Sequence, residues 1–103
     1  MTVGEYMAKS GIPVYLKGHE ATRRAIELCM ENPDIRFCSV YEIVGEECGI
    51  TPFAAERRIR FSVQEGFRSM DKELRKIIFL DKEKVKNVEY IKAVAYAIRS
   101  NLI

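Results

Sequence analysis

The sequence has no tryptophan, one histidine, three cysteines and three prolines in 103 residues. Each scarcity excludes something. Cys29, Cys38 and Cys48 are an odd number and do not suit the disulfide framework of a secreted domain. With His19 they make four possible zinc ligands, but none sits in the close paired spacing of a zinc site. Buried structural thiols are the reading, and no metal is expected. No serine or cysteine motif surrounds a nucleophile and no glycine-rich loop offers to cradle a phosphate, so neither an enzyme nor a cofactor is expected. Glu46 and Glu47 are adjacent; on a helix they point apart, as on a solvated face. No apolar run reaches the roughly 20 residues of a membrane span. The opening MTVGEYMAKSG lacks the apolar core of a signal peptide, so the expected location is the cytoplasm.

What is present is a chain 48% hydrophobic with only six glycines. That composition and length predict one folded, mainly helical domain over residues 1–103. Net charge is +2, which alone says little about nucleic acid. Its distribution says more. Residues 1–53 hold five Lys/Arg against eight Asp/Glu, whereas residues 54–86 hold ten against six. A basic second half is what a DNA-facing side requires.

The positive half begins inside GITPFAAERRIRFSVQEGFR, Gly49–Arg68. Gly49 and Ile50 end one helix and turn the chain. Thr51 can cap the next helix, and Pro52 suits its first position, where no amide hydrogen is needed. At about 100° per residue, Ala55, Ile59, Val63, Gly66 and Phe67 share one face. Arg57, Arg60, Phe61, Gln64 and Arg68 fall on the other. Upstream, Ser39-Val40-Tyr41-Glu42 reads as a capping box. Val40, Ile43, Val44 and Cys48 form the stripe of a short helix, with Gly45 allowing close contact. A short helix, a glycine turn and a helix with a basic outer face, over about residues 39–68, have the signature of a helix-turn-helix. An ordinary helical hairpin or a protein-binding unit has the same pattern.

The remaining segments predict an all-α bundle of about six helices. Thr2–Ser10 forms a first helix with Val3, Tyr6 and Met7 inward. Val14-Tyr15-Leu16 is a packed connection. His19–Glu31 carries Ala21, Ala25, Ile26, Cys29 and Met30 at helical spacing and ends before Pro33. Ile35–Cys38 is a bridge. Met70–Phe79 turns Met70, Leu74, Ile77 and Ile78 inward. Leu80–Lys86 is a charged surface loop. Asn87 caps a last helix with Val88, Ile91, Val94, Ala95, Ile98 and Leu102 as its stripe.

Three stretches carry a resemblance to a known family: GIPVYLKGHEATRRAI, the run Glu56-Arg57-Arg58-Ile59-Arg60, and NVEYIKAVAYAIR. The chain from about Gly11 to Leu102 resembles the C-terminal effector domain of the sporulation-initiation response regulator of endospore-forming bacteria. The most specific pieces are Gly11-Ile12-Pro13 followed by Leu16-Lys17-Gly18, and the Glu-Arg-x-Ile-Arg core. The resemblance implies an all-helical DNA-binding transcriptional regulator. Its helix-turn-helix, with a recognition helix over about 52–68, would enter the major groove as a homodimer or as tandem copies. It implies that Glu56 and Arg57 lie at the DNA face, with Arg60 on the same helix. It also implies possible contact with a response regulator or RNA polymerase. The family usually has an arginine at the position of Ala54, a histidine at Phe61 and a small residue at Arg58. The receiver domain that belongs to such regulators has no counterpart here.

The expected chemistry is simple. Arg57 and Arg60 can donate to phosphates or bidentately to a guanine edge. Glu56 can accept from a cytosine amino group or hold a neighbouring arginine. Gln64 suits adenine or a phosphate, Thr51 with its helix N-terminus suits a phosphate, and Phe61 suits a thymine methyl. Arg68 extends the basic stripe. The alternative for the arginines is surface ion pairing with Glu56 or Glu65. For Phe61 it is a protein contact or a place in the core. The alternative function is a helix-turn-helix interaction module that has lost DNA recognition.

Overall fold

Pro52 has no amide hydrogen to leave unsatisfied, and the Thr51 hydroxyl accepts the Ala54 amide at 3.1 Å. The longest helix therefore begins where the sequence places its start. This helix, α4 (Pro52–Ser69), buries Ala55, Ile59, Val63, Gly66 and Phe67, together with Ser62. Full burial of one such side chain, Ile59, contributes about 1.5–3 kcal/mol. The computed structural model describes all residues, Met1–Ile103, as six α-helices with no strand. The others are α1 (Val3–Lys9), α2 (Lys17–Glu31), α3 (Phe37–Cys48), α5 (Lys72–Phe79) and α6 (Asn87–Arg99). α4 packs on α2 and α3, and α6 lies across α2.

The angle between α3 and α4 is set by backbone. Gly49 ends α3 at φ 69°, a left-handed conformation that costs glycine nothing. The Ile50 amide closes back on the Gly45 carbonyl at 2.8 Å. A Cβ at Gly45 would stand 2.8 Å from the Ile50 carbonyl oxygen, so main chain touches main chain at the turn.

An aromatic chain joins the remaining helices. Tyr90 on α6 stacks on Phe79 of α5 at 5.4 Å, and Phe79 meets Phe67 of α4 edge-on at 5.2 Å. The Tyr90 and Tyr6 hydroxyls hydrogen-bond to each other, tying α1 to α6. Burial of the two rings pushes the Tyr90 phenol up to about 12 and raises Tyr6 well above its ordinary value.

Several local expectations are corrected. α3 starts at Phe37, so Phe37 and Cys38 belong to the helix and not to a bridge. Ser39 sits in the first turn instead of capping it; Arg36 occupies the cap position without a side-chain bond. The edge-on contact of Phe37 with Tyr41 at 5.7 Å, one helical turn apart, supports the earlier start. α6 begins at Asn87 with Lys86 at its cap. The Asn87 amide instead donates to the Tyr41 hydroxyl at 2.8 Å, bridging α6 to α3. α2 begins at Lys17, two residues before His19. Val14 and Tyr15 are 78% and 83% exposed, so the connection between α1 and α2 is packed only through Ile12 and Leu16. Ile77 is exposed because the short α5 buries only Leu74 and Phe79 fully. Leu102 is exposed because α6 ends at Arg99 and the chain turns away at Asn101, φ 57°. The stripes of α2 and α6 are wider than read, taking in Thr22, Leu28, Tyr90 and Ala97.

Candidate nucleic-acid interface

The periodicity that buries Ile59 and Val63 forces the intervening residues outward, and the outer face of α4 carries the predicted side chains. Arg57, Arg60, Phe61, Gln64 and Arg68 are all exposed. Phe61 is therefore not a core residue; it is 55% exposed. Phe53, one turn before Arg57, is 72% exposed and lies 6.0 Å from the Arg57 guanidinium, in cation–π range. Sequence reasoning passed over Phe53, although its spacing of four from Arg57 continues the outer stripe.

The ion pairing on this face is sparse. α4 contributes only two salt bridges, Arg60 to Glu56 at 3.4 Å and Arg68 to Glu65. Glu56 is half-buried and serves Arg60, matching the expectation that it can hold a neighbouring arginine. Arg57 and Arg58 meet no carboxylate. Thr51 is exposed at the start of the helix; its oxygen is engaged in the cap, which leaves its hydroxyl proton free to donate.

An open cavity of about 460 Å³ adjoins the first half of α4, lined by Leu16, Gly18, Ala54, Arg57, Arg58 and Phe61. Gly18 makes it possible. A Cβ there would fall 1.9 Å from the Ser62 hydroxyl and 2.3 Å from the Arg58 carbonyl oxygen, so α2 crosses α4 at backbone distance. The Leu16-Lys17-Gly18 run thus seats the N-terminus of α2 beside the exposed stripe.

The acidic half of the chain is arranged differently. Arg23 binds Glu20 and Glu27, and the hydrogen bond from Arg23 holds the Glu20 carboxyl below its usual range. Arg24 reaches from α2 to α3, donating to Glu47 at 2.8 and 3.2 Å. Those arginines are consumed by the fold. Cys29 is buried, Cys38 exposed and Cys48 partly buried, all as free thiols. No group of three His, Cys, Asp or Glu side chains is placed to hold a metal ion. No helix is long and apolar enough to cross a membrane.

Six helices without a sheet, a glycine-turned helix pair, and a second helix with its cationic side in solvent are the features of an all-α nucleic-acid-binding domain. The chain belongs to the family described as sporulation initiation factor Spo0A C terminal, whose model matches residues 3–98. That is a family of DNA-binding effector domains and not of enzymes. The match takes in α1, which precedes the stretch where the resemblance was read, and ends at Ile98. Comparison with curated proteins gives no match.

Proposed function

We propose that this chain is a sequence-specific DNA-binding transcriptional regulator that lays α4 in the major groove. α3, the Gly49 turn and α4 act as its helix-turn-helix. The observation that carries the reading is Arg57: a guanidinium on the outer face of the helix, in solvent, with no carboxylate to neutralise it. Arg57 and Arg60 donate to guanine edges or phosphates, and Gln64 to adenine or a phosphate. Thr51 and Arg68 bind backbone phosphates at the two ends of the helix. Glu56 accepts from cytosine or steers Arg60, and Phe61 meets a thymine methyl. The protein works in the cytoplasm as a homodimer or as tandem copies on double-stranded DNA, in contact with a response regulator or RNA polymerase. The measurement is affinity for mixed-sequence duplex DNA across a salt series, followed by selection of bound sequences from a random pool. Log affinity should fall linearly with log salt, and one motif should be enriched. Absence of binding at low salt would refute the reading.

A second reading is supported by the apolar exposure around the first half of α4. Phe61 lines the open cavity, Phe53 is exposed beside Arg57, and the family's usual arginine and histidine are replaced by Ala54 and Phe61. An exposed apolar patch marks a protein contact. In that reading α4 docks a protein partner instead of a groove, and the same salt series separates the two.

A further inference from the structure

The second half of α4 faces a different surface. An open groove of about 680 Å³ runs between Gln64 and Arg68 of α4 on one side and Glu83–Lys86 of the α5–α6 connection on the other. We infer that this connection is a second phosphate-binding edge, with Lys84 and Lys86 gripping the DNA backbone alongside α4. The inference rests on the DNA-binding reading above and extends its footprint beyond the helix-turn-helix.

Three observations carry it. The connection is held in place at several points. The Arg75 guanidinium donates to the Phe67 carbonyl at 2.7 Å and the Lys82 carbonyl at 3.2 Å, and lies 3.9 Å from the centre of the Phe67 ring. Glu89 takes the Lys82 ammonium at 2.7 Å and the Lys86 amide at 3.1 Å. A lysine on a fixed segment loses less freedom on binding than one on a loose loop. The carboxylates of the groove are also largely spoken for. Glu89 is paired with Lys82, which leaves Glu83 as the one unpaired carboxylate against Lys84 and Lys86, both exposed and without a salt bridge. The groove is finally continuous with the proposed interface, because Gln64 and Arg68 line it and also belong to the outer stripe of α4. A duplex seated on that stripe carries a phosphate every few ångströms along each strand, so its backbone passes over the same groove.

The experiment compares the wild-type protein, the double variant Lys84→Gln/Lys86→Gln and the control Lys92→Gln. Lys92 borders a separate cavity with Cys29 and Pro33. Affinity for duplex DNA is measured across a salt series for each. The double variant should show a salt slope shallower by about 0.9 per lysine removed. It should bind every duplex sequence more weakly by roughly 5–10-fold per lysine at 0.1 M salt. The selected motif and the melting temperature should stay unchanged, and Lys92→Gln should match the wild type. An unchanged slope in the double variant while the wild type binds would overturn the clamp and leave the DNA reading intact. An equal loss in Lys92→Gln would overturn it too, since the effect would then be one of net charge. Failure of the wild type to bind would remove both.

Discussion

The chain carries two arginine doublets, Arg23-Arg24 in α2 and Arg57-Arg58 in α4, each followed by an isoleucine within two residues. In α2 the doublet is flanked by Glu20 and Glu27 one turn away, by Glu31 two turns on, and by Glu47 across the helix interface. Its guanidiniums are spent holding α2 to itself and to α3. In α4 neither arginine of the doublet forms a salt bridge, and the nearby carboxylates Glu56 and Glu65 pair with Arg60 and Arg68 instead. The two motifs are alike in sequence and opposite in electrostatic state. A count of basic residues cannot see this difference, because it depends on what stands three and four residues away and on which helix packs opposite.

The comparison can be broken at its hinge. Both doublets are positioned by the crossing of α2 over α4, where Gly18 admits the Arg58 carbonyl. Gly18→Ala should cost stability at the upper end of the roughly 1–3 kcal/mol of overpacking, read as a shift in urea midpoint, because the atoms it meets include main chain. Next in size is Arg57→Ala, which should weaken DNA binding by about 1–3 kcal/mol while moving the melting temperature hardly at all. Equal DNA affinity in that variant would remove Arg57 from the interface.

Alkaline pH sharpens the contrast from another side. Tyr90 and Tyr6 are held above their unfolded value near 10 by burial. The folded state therefore keeps protons that the unfolded chain releases. Their stabilisation is intact below about pH 10 and is lost as pH climbs toward 12, by about 1.4 kcal/mol per unit per tyrosine. The arginine pairs of α2 do not titrate in that window. Tyr6→Phe/Tyr90→Phe should flatten the alkaline limb of the stability curve; a limb of unchanged steepness would assign the loss elsewhere. The smallest effect is expected from Arg24→Ala, about 0.5–1 kcal/mol of stability with DNA affinity unchanged, the inverse of Arg57→Ala.

Both faces of α4, its cap and its glycine turn were legible because each rests on a local rule: helical period, capping hydroxyl, positive φ. Ser39 and Asn87 were misread as caps for the opposite reason. Their roles follow from Phe37 meeting Tyr41 and from Asn87 reaching Tyr41, contacts that neither window contains. Ile77 and Leu102 had the right spacing but lie where α5 and α6 run out of neighbours, and periodicity does not report how far a partner extends. The residues of the candidate interface could be named from the stripe. Their freedom was legible only in part: Glu20 and Glu27 stand at pairing distance along α2, but the Glu47 carboxylate reaches Arg24 from another helix.

The glycine turn between α3 and α4 has one more consequence. Its geometry is written in main-chain atoms, so it places no demand on the identity of the side chains displayed beyond it. The letters on the outside of α4 can be redrawn while the mount that presents them keeps its aim.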